Sequence, residues 1–416
     1  MDSREDVMHI SKRAMTIQES PIRKLAPLMV LARQRGLAIH HLNIGQPDIA
    51  TPSSYLDAVA EYRRPGAVLS YGPSDGLPEL RQAIADYFGR YGISLGASDV
   101  LVTTGGSEAA FFALNLVADQ GDEIIIPEPF YTNYNGFASM AGVKVVPVTT
   151  RAEEGFHLPP AEAFERVISK RTKAILVCSP NNPTGTILTT AELGMLRELA
   201  LRHGLFLIAD EVYKEFTYEG AAHHSLLEME DLAERVIVID SISKRFSACG
   251  ARVGCLISRN RAVMECALKF AQARLCPPTI EQVGAVAAYR MDPAYFDPIR
   301  REYQARRDAL YAGLTAHPGV LLRKPDGAFY MIVKLPVADS DDFARWLLSD
   351  WSLEGETVMV APGNGFYATP ELGHDEIRVA YVLEVEKLVR ASRILLEGME
   401  RYLSAGAAGQ TRAAKR

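Results

Sequence analysis

The chain has 416 residues, which is too long for one simple core and favours two domains. Hydrophobic residues make up 48% of it and charged residues 23%, the balance of an ordinary globular protein. Its 45 basic and 51 acidic residues give a net charge of -6 without any basic block, so nucleic acid is not an expected partner.

The cysteines are scattered and odd in number, at Cys178, Cys249, Cys255, Cys266 and Cys276. No spacing among them matches a zinc site, and a disulfide framework is not expected in a chain of this size. The N-terminus is charged and lacks an apolar signal core, and no run approaches membrane-spanning length. The sequence therefore predicts a cytoplasmic protein with reduced thiols, without a metal and without a membrane partner.

Residues 1–20 are polar and are expected to form an N-terminal arm. Residues 21–36 carry apolar side chains at helical spacing, and the pattern ends at Gly36. Residues 41–48 are typical of a short strand that breaks into a turn. Gly45 in this turn either brings bare backbone close to a ligand or only turns the chain.

Short apolar strands alternate with amphipathic helices from residue 52 to residue 290. The predicted strands are Val100–Thr103, Glu123–Ile126, Val143–Val148, Ala174–Cys178, Leu205–Ala209, Val236–Ile239 and Val253–Ser258. Helices are predicted between several of them, such as Ser107–Ala118 and Thr189–His203, and the second begins with a capping box. This alternation indicates an α/β fold whose large domain has three layers, with a mostly parallel sheet between helices.

From Pro293 the pattern changes to that of a smaller α+β domain. A long charged helix is predicted first, and strands and further helices follow it, at Tyr295–His317, Gly319–Leu322, Phe329–Lys334, 341–350, Ile377–Tyr381 and 384–402. The last residues are small and polar and are predicted to be disordered. The predicted boundaries are an arm (1–20), the N-terminal part of the small domain (21–51), the large domain (52–290), the C-terminal part of the small domain (291–403) and a tail (404–416).

Polar residues follow the predicted strands, at the sheet edge where α/β proteins bind ligands. After the first strand, Gly106 and Ser107 open a helix whose backbone N–H groups and dipole would face an anion, unless the glycines only turn the chain. This segment matches neither the GxGxxG dinucleotide fingerprint nor the GxxxxGK[ST] phosphate loop. Tyr131 follows the second strand, where its ring either stacks on a planar cofactor or packs in the core.

Two later strands end in more specific groups. The loop Pro180-Asn181-Asn182-Pro183 holds an amide rigidly between two prolines. Asp210 ends a fully apolar strand, where a carboxylate must be paired or hydrogen-bonded, with a protonated ring nitrogen as one such partner and a turn cap as the alternative. Tyr213 lies three residues later and can point its hydroxyl into the same site.

The segment after the sixth strand contains Lys244 between Ser241 and Arg252. A lysine that attacks a carbonyl needs a partly buried, electropositive site, and a phosphate beside it needs hydroxyl and guanidinium donors. A surface lysine after a strand is the plain alternative. Pyridoxal 5′-phosphate needs an amine for its aldehyde, donors for its phosphate and an acid at its ring nitrogen. The strand ends together therefore predict this cofactor.

The combination resembles the class I/II aminotransferase family of fold type I pyridoxal-phosphate enzymes, and aspartate aminotransferases in particular. The resemblance covers the chain from about Pro21 to about Tyr402. It is carried by Asn-Pro-Thr-Gly at 182–185, Asp-x-x-Tyr at 210–213, and Ser-x-x-Lys with Arg at 241, 244 and 252. It implies that Lys244 is the Schiff-base lysine and the base that carries a proton between Cα and C4′.

The same resemblance implies roles for the neighbouring residues. Asp210 pairs with the pyridine nitrogen, Asn182 and Tyr213 bind the phenolic oxygen, and Tyr131 stacks on the ring. The implied phosphate ligands are Gly106, Ser107, Ser241 and Arg252. Tyr71 matches the tyrosine that reaches the partner subunit's phosphate, so a homodimer with shared active sites is implied.

For the substrate, the resemblance implies that Arg378 clamps the α-carboxylate, as its planar fork allows, although a strand arginine can also face solvent. Gly45 and Asn182 are the other implied substrate contacts. The expected function is an amino-acid transaminase that works by ping-pong half-reactions between an L-amino acid and a 2-oxo acid. Aspartate and 2-oxoglutarate are the lead pair, with Arg23 at the pocket rim as the candidate for a second carboxylate, while aromatic and branched donors stay open.

Two other functions use this scaffold. One is a C–S or β/γ-eliminating lyase, which needs no keto-acid acceptor. The other is a non-catalytic effector domain of a transcription regulator, for which the residues before Pro21 leave little room for a DNA-binding module. The chain departs from the family pattern at Arg245, at Ala251 and in the long aromatic loop 361–367, and these departures are expected to bear on substrate choice.

Overall fold

The computed structural model describes residues 10–62, 66 and 68–413, with side chains described as far as residue 405. The first nine residues of the predicted arm and residues 414–416 lie outside the described residues. Its strands are β1 (Ala38–His41), β2 (Val100–Thr103), β3 (Glu123–Glu128), β4 (Lys144–Thr149), β5 (Thr172–Cys178), β6 (Phe206–Asp210), β7 (Val236–Ser241), β8 (Gly254–Ile257), β9 (Tyr330–Lys334), β10 (Glu356–Met359), β11 (Ala361–Pro362) and β12 (Glu376–Ala380).

The α-helices of the described residues are α1 (Lys12–Thr16), α2 (Ala26–Gln34), α3 (Ser53–Glu61), α4 (Pro78–Gly89), α5 (Gly105–Val117), α6 (Asn133–Ala141), α7 (Ala161–Glu165), α8 (Thr190–His203), α9 (Ile242–Arg245), α10 (Arg261–Arg274), α11 (Thr279–Tyr289), α12 (Phe296–Thr315), α13 (Ser340–Ser349) and α14 (Val385–Ala413). Within the described ranges, none of these helices combines the length and the apolar character needed to cross a membrane.

Seven strands form the central sheet, in the order β2-β8-β7-β6-β5-β3-β4. All neighbours are parallel except those of β8, which runs antiparallel to both β2 and β7. The predicted, mostly parallel sheet is therefore confirmed. Because β8 runs the opposite way, Gly254 at its start lies opposite both Thr103 and Ser241 at the ends of β2 and β7. The residues before β8 thus reach the edge at which the parallel strands end.

Apolar side chains cover both faces of this sheet. In β3, Ile125 packs into a core formed with α4, α8 and α11, whereas Ile124 and Ile126 pack on the opposite face with α5, α6 and α10. Strands buried on both faces need continuous apolar sequence, which is the pattern that the chain shows between residues 100 and 257. The three-layer α/β architecture predicted for the large domain is confirmed.

Local sequence sets the bounds of α8. The Thr189 hydroxyl accepts the Glu192 N–H at 3.2 Å, and the Glu192 carboxylate accepts the Thr189 N–H at 2.7 Å, which is the predicted capping box. Gly204 ends the helix in the left-handed conformation, at a φ of 67°. The chain then enters β6, whose last residue is Asp210.

A second core gathers both ends of the chain. The strands β11, β12 and β9 form an antiparallel sheet, while β1 pairs in parallel with β10. Helices α12 and α14 pack against each other beside them. Residues 38–41 thus lie with residues 356–359, as a small domain built from two parts of the chain requires. The exact domain boundaries stay predictions.

Two predictions in the C-terminal region are wrong. The segment predicted as strand Gly319–Leu322 makes only an isolated bridge between Leu321 and Lys334, because Pro318 and Gly319 hold its first half in a turn. The tail predicted to be disordered from residue 404 instead continues α14 to Ala413, in a sequence rich in alanine, the strongest helix former.

Candidate active site

A cavity of about 710 Å³ lies at the carboxyl ends of β5, β6 and β7, beside the N-terminus of α5. Its volume falls within the range of small-molecule sites. The residues predicted for the site line it together, namely Gly45, Gly106, Ser107, Tyr131, Asn182, Asp210, Tyr213, Ser241, Lys244, Arg252 and Arg378. Tyr71 is the exception: it lies outside this cavity, and its side chain is 79% exposed.

Lys244 lies in the four-residue helix α9 directly after β7. The Ser241 hydroxyl begins this helix by accepting the Ser243 N–H at 3.1 Å. The Lys244 Nζ donates to the Gly45 carbonyl at 2.9 Å, so the small domain supplies the backbone group that holds the amine. A side chain at Gly45 would lie 1.8 Å from the Tyr330 hydroxyl, and this close approach therefore requires glycine.

Arg252 lies against the first turn of α5. Its Nη2 is 2.2 Å from the place where a Cβ of Gly105 would lie, and Gly105 has a φ of +75°. A guanidinium at the positive end of a helix dipole is repelled unless an anion lies nearby. Backbone N–H groups at Gly106 and Ser107 and the hydroxyl of Ser241 line the same cavity. This donor set fits a phosphate group.

Asp210 presents a buried carboxylate to the cavity. It accepts the Tyr134 hydroxyl at 2.7 Å and the Val212 N–H at 3.3 Å. Burial raises the pKa of Asp210 to about 6, and the hydrogen bond from Tyr134 opposes this rise. A cation placed in the cavity would favour the charged carboxylate. The site therefore fits a protonated ring nitrogen.

Three side chains form a hydrogen-bonded row on the other side of the site. The Asn182 amide donates to the Tyr213 hydroxyl at 3.4 Å, and the Tyr213 and Tyr330 hydroxyls lie 3.0 Å apart. Tyr330 begins β9 and is a cavity residue that sequence reasoning missed. Tyr330 reaches the site through the pairing of β9 with β12, because in this register it lies diagonal to Arg378 on the same face of the two strands.

Arg378 is 1% exposed and has no carboxylate within 4.0 Å among the described residues. Its Nη1 donates to the Asn182 side chain at 3.0 Å, while its Nε has no hydrogen-bond partner. The guanidinium lies 4.5 Å from the Tyr330 ring and 4.9 Å from the Phe366 ring. Burial lowers the pKa of Arg378. A buried cation without a counter-ion is poised for an anionic ligand.

Comparison with known proteins places this site in a family. The profile of the family "Aminotransferase class I and II" matches residues 39–394. The chain belongs to this family. An aspartate aminotransferase of Bacillus subtilis is 31% identical over 404 residues, which cover 95% of this chain and 100% of that protein.

Two further aminotransferases are similar to this chain over most of its length. An aspartate/prephenate aminotransferase of Thermus thermophilus is 33% identical over 92% of this chain and 96% of its own length. The solved structure of a Thermus thermophilus aspartate aminotransferase with maleate has a TM-score of 0.85 at 31% identity, covering 94% of this chain and 100% of that one. The fold of these enzymes confirms fold type I for the present chain.

This aminotransferase therefore uses pyridoxal 5′-phosphate and transfers amino groups between amino acids and 2-oxo acids, as the sequence predicted. The comparisons do not favour the lyase alternative. The cavity fits the cofactor because three charged groups that line it have no oppositely charged side chain within 4.0 Å among the described residues. These are the Arg252 guanidinium at the start of α5, the carboxyl of Asp210 and the amine of Lys244.

The departures from the family pattern lie in different places. Neither Arg245 nor Ala251 lines the cavity: Arg245 is fully buried behind it, and Ala251 packs against the core of the large domain. Neither residue contacts a substrate in this cavity directly, and their bearing on substrate choice stays a prediction. The loop 361–367 forms β11 and a short 3₁₀ helix, and its Phe366 lies under the Arg378 guanidinium.

Proposed function

We propose that this aminotransferase acts on dicarboxylic L-amino acids, with aspartate as the lead donor and 2-oxoglutarate as the acceptor. The observation that carries the proposal is that two arginines outside the predicted phosphate site, Arg378 and Arg23, line the same cavity. Arg378 is buried and lacks an acidic partner in the described part of the chain. Two carboxylates on one substrate would satisfy both guanidinium groups.

Arg23 supports this reading through its position. Arg23 is exposed at the rim. Burial raises the pKa of the Tyr131 hydroxyl to about 12, and the charges of Arg378 and Arg23 both oppose this rise, so the two guanidinium groups lie near the same ring. The relatives named for aspartate, and the solved structure that holds maleate, also point to substrates with two carboxylates. The distal carboxylate would therefore lie between Arg23 and the ring of Tyr131.

For the cofactor, we propose that Gly106, Ser107, Ser241 and Arg252 hold the phosphate. Asp210 holds the ring nitrogen in its protonated form, Asn182 and Tyr213 bind the phenolic oxygen, and Tyr131 stacks on the ring. When bound, the cofactor supplies an aldehyde for the amino group and a ring that withdraws electrons from Cα. The chain contributes the groups that orient it and that move the proton.

We assign to Lys244 the transfer of the proton at the substrate Cα. Its Nζ lies 2.9 Å from the carbonyl of Gly45, the residue that we propose contacts the substrate carboxylate. Arg378 and Asn182 fix that carboxylate and thereby set the direction in which the Cα–H bond points. The Tyr213 hydroxyl lies on the same wall, held by Tyr330. Lys244 takes the proton and returns it on the cofactor side.

We further propose a cytoplasmic homodimer with shared active sites. Tyr71 lies in an exposed segment with Val68 and Leu69, whose side chains are 78% and 65% exposed. Three neighbouring large apolar groups on a surface favour contact with a partner chain. Sedimentation should give twice the subunit mass of 45.7 kDa. A monomer that binds the cofactor as tightly as the dimer would contradict this proposal.

One experiment tests donor and residue roles together. The purified enzyme with its cofactor is given single amino acids without an acceptor, and conversion to the pyridoxamine form is followed by absorbance. Aspartate should convert it faster than alanine. Arg23→Gln should raise the KM for aspartate about tenfold without changing that for alanine, because it removes one charge-assisted hydrogen bond.

The control is Lys24→Gln, since Lys24 is the neighbouring cation but pairs with Asp341 outside the cavity. Lys24→Gln should leave both KM values unchanged. If Arg23→Gln and Lys24→Gln behave alike, the dicarboxylate proposal fails. Lys244→Ala should abolish turnover, and wild-type turnover in that variant would contradict the proposed role of Lys244.

A further inference from the structure

A cluster of buried charges lies behind the turn that carries Lys244. It consists of Asp240, Arg245, Lys214 and Glu215, whose side chains are at most 5% exposed. None of them lines the cavity. Two cations and two anions make the cluster neutral, and the mechanism of transamination uses none of them. Such a cluster needs a physical reason, because burying charges is unfavourable in itself.

Asp240 contacts both ends of α9, the helix that carries Lys244. Its Oδ1 accepts the N–H of Ser241, the residue that begins the helix, at 2.7 Å. Both of its oxygens accept from Nη2 of Arg245, the last residue of the helix, at 2.9 Å and 2.7 Å. A single carboxylate therefore bridges the two ends of this short helix.

Arg245 is fixed from its other sides as well. Its Nη1 donates to the Tyr289 hydroxyl at 3.3 Å, and its guanidinium lies 4.6 Å from the centre of the Tyr87 ring. Its Nε lies 3.6 Å from Glu215, which also accepts the Tyr91 hydroxyl at 3.0 Å. Few rotamers satisfy all of these contacts, and the end of α9 is correspondingly rigid.

Three charges of the cluster are adjacent in the chain to a cavity residue. Lys214 follows Tyr213 and lies 3.6 Å from Asp240, which precedes Ser241, while Arg245 follows Lys244. The ion pairs of Asp240 with Lys214 and Arg245, which lie outside the cavity, thus fix the adjacent cavity residues Tyr213, Ser241 and Lys244. A buried ion pair adds little stability over apolar side chains of the same volume. Orientation is therefore the better explanation of this cluster.

We propose that the Asp240–Arg245 pair is a positioning device, which fixes α9 so that the Lys244 amine and the Ser241 hydroxyl point at the cofactor. The proposal rests on the role of Lys244 given above and extends it to residues that touch neither cofactor nor substrate. Arg245, which stands out in the sequence beside the lysine, acts through the geometry of its neighbour.

The test is the double variant Asp240→Asn with Arg245→Met. It removes both charges at similar volume, and the side-chain oxygen of the introduced asparagine can still accept the Ser241 N–H. The melting temperature should fall less than in Arg245→Met alone, because a cation and an anion are removed together. The Kd for pyridoxal 5′-phosphate should rise about tenfold or more, because a small misplacement of a site group is costly. The kcat should fall by a similar factor with little change in KM.

A readout on the cofactor-free enzyme isolates the lysine. Trinitrobenzenesulfonate labels accessible amines, and mass spectrometry of the peptide that contains Lys244 gives the time course of labelling at this residue. The double variant should shift this labelling profile because the amine leaves the Gly45 carbonyl. The matched control is Arg307→Met with Asp308→Asn, a pair in which the arginine is equally buried and contacts no cavity residue. The control should change neither the labelling profile nor the Kd.

The proposal is overturned if the double variant keeps the wild-type Kd and labelling profile, or if the control pair shifts them as much. If the double variant does not fold, Arg245→Lys provides the measurement, since it keeps the charge but loses the planar fork. It should give an intermediate Kd, and a wild-type Kd overturns the proposal. Failure of the proposed function is separate, because it appears as turnover in Lys244→Ala.

Discussion

Arg245 and Arg378 are each only 1% exposed, yet their electrostatic surroundings are opposite. Arg245 lies behind the sheet edge with Asp240 at 2.7 Å and Glu215 at 3.6 Å. Arg378 lies in the cavity wall, and no carboxylate of the described residues comes within 4.0 Å of it.

This contrast separates two uses of a buried charge. A cation with its anions in place is part of the folded structure, and removing it leaves those anions uncompensated. A cation without an anion is a cost to the folded state that a ligand can offset. Stability and activity should therefore respond in opposite ways at the two positions.

The largest effect on stability is expected for Arg245→Met. The variant leaves Asp240 buried without its main partner, and the free energy of unfolding should fall by about 3–5 kcal/mol. Urea unfolding of the cofactor-free protein measures this loss. The double variant with Asp240→Asn should recover most of it, and a single variant as stable as the double would break the contrast.

Arg378→Met should do the reverse. The kcat/KM should fall by about 30-fold to 4,000-fold, which corresponds to about 2–5 kcal/mol for a lost buried contact to a substrate carboxylate. The free energy of unfolding should stay the same or rise, because an unpaired charge has been removed. A large loss of stability in this variant would show that the guanidinium is structural after all.

Tyr330→Phe tests the hydrogen bonds of Tyr330, the residue beside Arg378, to the other cavity residues. Its hydroxyl lies 3.0 Å from that of Tyr213 and donates to the Gly45 carbonyl at 3.4 Å. Loss of these bonds should lower kcat/KM by about threefold to tenfold, since one hydrogen bond contributes about 0.5–1.5 kcal/mol. Tyr303→Phe is the control, because the Tyr303 hydroxyl is buried without a partner among the described residues, and it should be neutral or stabilising.

The smallest effect concerns Glu376, a buried carboxyl that has no cation within 4.0 Å among the described residues. Burial raises the pKa of Glu376 from 4.5 to about 7, with Asp375 and Glu153 adding to the rise and Tyr367 and Lys334 opposing it. Between these two pKa values the folded state binds more protons than the unfolded state. The contribution of Glu376 to the stability of the folded protein is therefore lost as the pH rises towards about 7.

Glu376→Gln should remove that dependence. The difference between the melting temperatures at about pH 5 and about pH 8 should be larger in the wild type than in the variant. The reason is that Gln stays neutral while it still accepts the Tyr367 hydroxyl. Equal differences in the two proteins would show that Glu376 keeps its charge throughout.

Sequence reasoning succeeded where a residue's place follows from the end of a strand. Asp210, Asn182 and Lys244 come directly after apolar runs, and parallel strands place such residues on one edge. Arg252 reaches the same edge only because β8 runs antiparallel, a reversal that no local pattern announces. The sequence indicated Arg252 as a phosphate donor by its nearness to Lys244 in the chain, and the structure supplies the reason why it reaches this edge.

Other features depend on directions that sequence does not contain. Arg245 adjoins Lys244 in the chain, but successive helical residues point to different sides, so the one faces Asp240 and the other faces the cavity. Tyr330 lies 48 residues before Arg378, and only the register of β9 against β12 brings them together. Tyr71 stays a prediction, because its proposed target belongs to another chain.

The Asp240 bridge across α9 also limits how this enzyme can change over generations. Loss of Arg245 alone leaves an anion buried, and loss of Asp240 alone leaves a cation, so each single step passes through a weakened protein. We therefore expect relatives to keep or replace both residues together. A lineage could enlarge its range of amino donors through Arg23 at the rim without disturbing this pair, which leaves the catalytic lysine in place while the pocket diversifies.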